Sequence, residues 1–512
     1  MKNAYLCTLR TNHLIFNENY YSMRKFFTLL LVCSALMAQA KDYTLAQLAS
    51  LVGTVENVYT SGEQTIRETV GISVAGGKYI ITLPTGFAGE TTGLTYDDGN
   101  IILSKNYLTV NGDIVMSEGD SLLFDKKAQI EINGNLTADK AYFGAAEGAE
   151  TGTNGAKGIR MYKEGISATL TDCTFDYVNI NYGNGTEEGH LTVTGCTFNK
   201  HNSKGGNAVI NFTSRSTGNI ISDCVFNDPD FSAIASGANV PCGITIKNNI
   251  INKSLASTRL YPGINMSATG PYDIVIEGNE VHGPAAVTRA GGIALACLLG
   301  NPPTGTLYVR NNFVENCSYG ITLTGPGSVV MEGNTVKNNK YISSPTLGGS
   351  GLNITCNSKE VIAKAYIRGN HIEGNLWGIT VIGNVDINAG KTADATAADY
   401  NPGENVFVNN GNGEPFVQYD FYNNTPNTSY AQGNKWSVDE QISEKIENVV
   451  YHKADDSSLG MVIYMPAYTP TGINGVKTDG THSAHRYNLQ GQRVDDSYRG
   501  IVISNGKKVM KR

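Results

Sequence analysis

The chain has 512 residues, yet only 17% are charged, two are Trp and eight are His. Its net charge is −7, and the basic residues form no stripe, which argues against a nucleic-acid partner. Beyond residue 40 no apolar run is long enough to span a bilayer, so no transmembrane segment is expected. Nine Cys are present and seven follow residue 40; an odd number does not make a disulfide framework. No CxxC or Cys/His pair has metal-ligand spacing, which argues against zinc, and no metal or other cofactor is expected. Helical periodicity is missing from the middle of the chain, which disfavours leucine-rich and helical repeats.

What is present is a short recurring pattern: apolar, polar, small-or-Asn, Cys-or-Asn, any, apolar. The copies are LTDCTF from Leu170, VTGCTF from Val193, ISDCVF from Ile221, IKNNII from Ile246, IEGNEV from Ile276, VRNNFV from Val309, MEGNTV from Met331 and IRGNHI from Ile367. Their spacing averages about 28 residues, the range of a solenoid coil. A second series, Gly-apolar-x-apolar, runs in phase from Gly263, Gly292, Gly320, Gly351 and Gly378. Each coil therefore carries at least two short strands, and stacking coils buries apolar faces that one coil cannot bury alone.

Details of the columns agree. The residue before each Cys or Asn is Gly, Asn or Asp, types that tolerate positive φ. The Asn column suits a stacked amide ladder, and Cys173, Cys196 and Cys224 read as buried thiols. Lys247, Glu277, Arg310, Glu332 and Arg368 alternate in sign in one column, as facing strands prefer. Looser copies follow at Gly403 (GENVF) and Gly433 (GNKW). The fold class expected is all-β, a right-handed parallel β-helix with an N-terminal cap and a small C-terminal β-hairpin tail.

The organisation reads as follows. Residues 1–22 are an upstream extension from a misplaced start. Residues 23–40 are a signal peptide: Met23-Arg24-Lys25, an apolar run, then Ala38-Gln39-Ala40. Residues 41–95 are an N-terminal cap region, with a short helix from Leu45. The β-helix spans 96–466, a linker 467–483 and a tail 484–512. Ser437 to Ile446 reads as helical, with Ser437 as N-cap and Glu440 three residues on.

The two ladders, with VNGDIVMSEGDSLLF at the front and AQGNKW at the back, resemble the pectate-lyase-like superfamily of right-handed parallel β-helix proteins. RYNLQGQRV from Arg486 and RGIVISNGKKVMKR from Arg499 resemble the C-terminal sorting tails of type IX secretion. The first resemblance implies the fold and, for its enzymes, lysis or hydrolysis of acidic polysaccharide. The second implies an exported protein, extracellular or at the outer-membrane surface, with the periplasm as the other location.

The enzymes of that superfamily need acids or bases lined up across coils. Here the residue three after each ladder Cys or Asn is Asp176, Asn199, Asn227, Asn252, His282, Glu315, Lys337 and Glu373, with no acid beside an acid. The Arg-x-Pro-x-x-Arg of pectate lyases and the paired-Asp and Gly-His-Gly motifs of polygalacturonases are missing. Segments 252–262, 282–291 and 337–350 are long and should project from one side. They carry the candidate ligand-binding residues Arg259, Tyr261, His282, Arg289 and Tyr341: guanidinium groups for an anion, rings for a sugar face. The bland reading makes the two Arg solvated and the Tyr rings packing.

The functional expectation is a monomeric, non-catalytic protein that binds polysaccharide or cell-surface glycan, adhesin-like. The alternative is a polysaccharide lyase or glycoside hydrolase, which alone would bring in Ca²⁺. A purely structural surface protein is the third reading.

Overall fold

The computed structural model describes residues 113–468, apart from 120, 125, 146, 152–154, 201–207, 238–239, 254–260, 286–289, 299–300, 343–347 and 412–418, and gives backbone strands alone within 53–110 and 486–511. The signal peptide, the helix expected from Leu45 and the linker from 469 onward lie outside the described residues. The chain divides into two compact units, Met1–Tyr468 and Thr469–Arg512.

The first unit is a parallel β-helix, as expected. Each coil passes through three sheets. Sheet I has 13 strands, from Ile114–Met116 to Val462–Ile463. Sheet II follows the Cys/Asn turn and has 16 strands. Its first five, Gly53–Ser61 to Asn100–Ser104, form an antiparallel meander, and from Asn100–Ser104 to Val406–Val408 it is parallel. Sheet III has 13 strands, from Tyr107–Val110 to Val450–Tyr451, and contains the Gly-apolar series. Among the described residues the single α-helix is Ser443–Ile446.

The repeat explains this geometry. In Ile274–Glu277 buried and half-buried residues alternate, and the register carries Ile246 onto Ile276, Val309 and Met331. Sheet II contributes a stack of rings, Phe143, Phe175, Phe198 and Phe226, with centroids 4.6, 4.6 and 4.7 Å apart. Each buried Ile, Val or Phe contributes roughly 1.5–3 kcal/mol. The turn residue is left-handed in every copy, among them Asp172 (φ 50°), Asn248 (54°), Gly278 (66°), Asn311 (55°) and Gly333 (64°). A Cβ on Gly333 would lie 2.4 Å from Asn311 Oδ1, so the amide of one coil leans over the glycine of the next.

The Asn column forms the expected ladder. Asn249 donates through its backbone N–H (3.0 Å) and Nδ2 (2.9 Å) to Asn279 Oδ1, and the pattern repeats through Asn312, Asn334, Asn370 and Asn405 to Asn434. The looser copies at Gly403 and Gly433 thus belong to it. Cys173, Cys196 and Cys224 are buried free thiols. In the charge column Glu277 pairs with Arg310 (3.5 Å) and Glu332 with Arg368 (3.7 Å).

A second ladder lies five residues further on: Cys317 N–H donates to Asn339 Oδ1, Asn339 to Asn375 and Asn375 to Asn410. It ends on Asp420, whose Oδ1 accepts Asn410 Nδ2 at 3.0 Å. This ending corrects the helix expected from Ser437. Asp420 also accepts the Ser437 N–H (2.7 Å) and hydroxyl (2.8 Å), which turns Ser437 towards the end of the ladder. The helix starts six residues later, after Ile442, and passes into a 3-10 turn, Glu447–Val449. Trp436 is buried and stacks on Phe407 at 4.9 Å, covering the last coil of sheet II.

The second unit is a four-stranded antiparallel sheet, Arg486–Tyr487, Arg493–Val494, Gly500–Ser504 and Lys507–Lys511. Ser504 pairs with Lys507, and the Asn505-Gly506 pair between them lies outside the described residues.

Candidate functional site

The outward column of sheet III changes character along the solenoid. At its N-terminal end Arg160 lies 3.8 Å from Glu131 and over the Tyr162 ring. Asn181 and Asn211 follow, joined by a 2.9 Å hydrogen bond. The middle carries Ala235 and Ala294. Thr322 then donates to Asn353 Oδ1 (3.0 Å), and Thr380 meets the Ser350 hydroxyl (2.7 Å).

The column ends in aromatics. Thr380 is in register with Tyr422, and Tyr422 with Tyr451. The rings of Tyr422 and Tyr451 stack at 4.9 Å and 11°. Tyr419 turns its ring towards both, at 5.7 and 5.4 Å. All three are half-buried. Burial holds the hydroxyls of Tyr419 and Tyr422 above the usual range; nearby Asp455 adds to this at Tyr419, and Tyr451 with Asp456 at Tyr422. From Thr322 to Tyr451 the column is uncharged; Thr380 and its partner Ser350 are fully buried, so the half-buried Thr322, Asn353, Tyr422 and Tyr451 are the groups it offers. Such groups bind by hydrogen bonding and stacking; none of them is an acid, base or nucleophile poised at neutral pH.

The structure describes three of the five residues singled out from the sequence, Tyr261, His282 and Tyr341. Arg259 and Arg289 lie outside the described residues. Tyr261 packs edge-on against Phe231 at 4.6 Å. Its carbonyl accepts from Lys253 Nζ (3.0 Å), which also donates to Phe231 O (2.6 Å). Lys253 is nearly fully buried, and burial pushes its pKa down to about 8. Tyr341 is half-buried, and burial raises its hydroxyl pKa.

His282 faces outward on sheet II. Its Nδ1 lies 3.0 Å from Glu315 Oε1 and its Nε2 3.2 Å from Glu280 Oε2. Both ring nitrogens thus lie within hydrogen-bonding distance of carboxylate oxygens. Further along this face Glu373 is shared by His371 (3.0 Å) and Lys337 (3.3 Å), and the His371 hydrogen bond leads in holding its pKa low. These charges satisfy one another. The adjacent acids Asp455 and Asp456 serve a turn: Asp455 accepts the His452 N–H, and Asp456 accepts from Ser458.

Among the described residues, no cluster of His, Cys, Asp or Glu could hold a metal ion, and no helix is long and apolar enough to cross a membrane. No family model matches the chain, and neither a curated protein nor a solved structure is detectably similar to it.

Proposed function

We propose that this is an exported β-helix protein that binds glycan outside the cell or at its surface, without catalysis. The observation that carries this reading is the Tyr419, Tyr422 and Tyr451 cluster at the end of an uncharged hydroxyl-and-amide column. Sugar rings present apolar faces rimmed by hydroxyls, and Tyr meets both with one ring and one polar tip. The likeness of the ladders to pectate-lyase-like proteins supports a glycan ligand, and residues 23–40 together with the tail from Arg486 support export by a type IX route.

Affinity electrophoresis of the full chain through gels containing single polysaccharides tests the reading. Retardation by at least one polysaccharide, reduced at least tenfold in strength by Tyr422→Ala, is expected. Retardation by none, or retardation unchanged in that variant, would remove the basis for it.

A further inference from the structure

The aromatic platform borders an acidic turn. The turn that directly follows Tyr451 carries Asp455 and Asp456, whose backbone N–H groups both donate to His452 O (2.9 and 3.0 Å). Both are exposed, and both are pinned: Asp455 Oδ2 accepts the His452 N–H (2.9 Å), and Asp456 Oδ1 accepts the Ser458 N–H (2.9 Å) and hydroxyl (2.7 Å). Lys453, on the same turn, is exposed, and its backbone N–H donates to Gly460 O (3.2 Å). Recognition of a uronate or sulfate calls for Arg or Lys donors, most often a planar fork. The column from Thr322 to Tyr451 contains neither. A fixed anion beside a binding surface discriminates against like-charged ligands.

We propose that the Tyr419, Tyr422 and Tyr451 platform takes neutral glycans and turns away polyuronates and sulfated glycans, with Asp455 and Asp456 setting that selection. This rests on the glycan-binding reading and deepens it by naming the ligand class. Because both carboxylates are exposed, the selection weakens as salt rises.

The test compares the full-length wild type, Asp455→Asn/Asp456→Asn and Tyr422→Ala against a soluble neutral β-glucan and polygalacturonate. The double variant keeps the acceptor oxygens that the turn uses. Expected is binding of the glucan with at least tenfold weaker binding of polygalacturonate. The double variant should gain roughly threefold to tenfold towards polygalacturonate at low salt and change little towards glucan. Tyr422→Ala should lose the glucan; if its circular dichroism departs from wild type, Tyr451→Leu, which keeps apolar bulk, takes its place. Equal or tighter binding of polygalacturonate, still lost with the Tyr, would overturn the charge selection and leave glycan binding standing. An unchanged preference in the double variant would overturn the role of the two Asp. Binding of neither polymer would remove both.

Discussion

Two amide ladders run along the later coils of this solenoid, and they end differently. In both, every Asn Nδ2 donates towards the next coil, so each ladder finishes with a donor in need of an acceptor. The longer ladder ends on neutral groups: Asn434 Nδ2 donates to Ala389 O (2.9 Å) and Ala431 O (2.7 Å). The shorter ladder ends on a fully buried carboxylate, Asp420. Burial pushes the Asp420 pKa up to about 6 against the pull of Asn410 and Ser437. The first ladder is therefore indifferent to pH, whereas the second is tied to it. Asp420 also shares its strand, Tyr419–Asn424, with two of the platform tyrosines, so the pH-sensitive end supports the proposed site.

The largest expected effect breaks the longer ladder in its middle. Asn312→Ala strips the acceptor from the Asn279 N–H and Nδ2, both buried. The loss should be about 3 kcal/mol or more, read from denaturant midpoints. The early coils sharpen the contrast, because there a thiol fills the same column. Cys196→Ala removes a small buried hydrophobe and weak bonds, and about 1 kcal/mol is expected. Equal losses at the two positions would contradict the view that amide bonding distinguishes the later coils.

Between these lies the pH effect. The folded pKa of Asp420 exceeds its ordinary value of 3.8. Its favourable contribution is therefore whole below about 3.8 and is lost as pH rises through about 6. Relative to Asp420→Asn, the wild type should gain on the order of 2 kcal/mol as pH falls from 7 to 4. Parallel stability curves for the two proteins across that range would show that Asp420 does not titrate there. The smallest effect belongs to the exposed charge column: Glu277→Gln should cost less than about 1 kcal/mol.

Much of the fold was legible because the coil repeats its chemistry at one place. A left-handed turn, a buried Cys or Asn and an inward Phe, Ile or Val stand within six residues, so periodicity exposes them. The second ladder was hidden. Five residues after Asn249 and Asn279 the sequence has Ser254 and Pro284 in place of Asn, and the variable segments that follow obscure the spacing. Asp420 carries no signal in the sequence because its partners, Asn410 and Ser437, belong to different turns. The site was least legible. Neither Tyr422 nor Tyr451 lies in a copy of the Gly-apolar series, and only the register of sheet III joins them. His282 looked like a loop ligand, but the residue closes a strand of sheet II between two glutamates.

The most direct test of the central claim is isothermal titration of the full chain with a neutral β-glucan, followed by product analysis of the same sample. The account predicts saturable heat that disappears in Tyr422→Ala, and a polymer recovered at its original length. A shortened polymer or unsaturated sugar ends would contradict it and identify the chain as an enzyme.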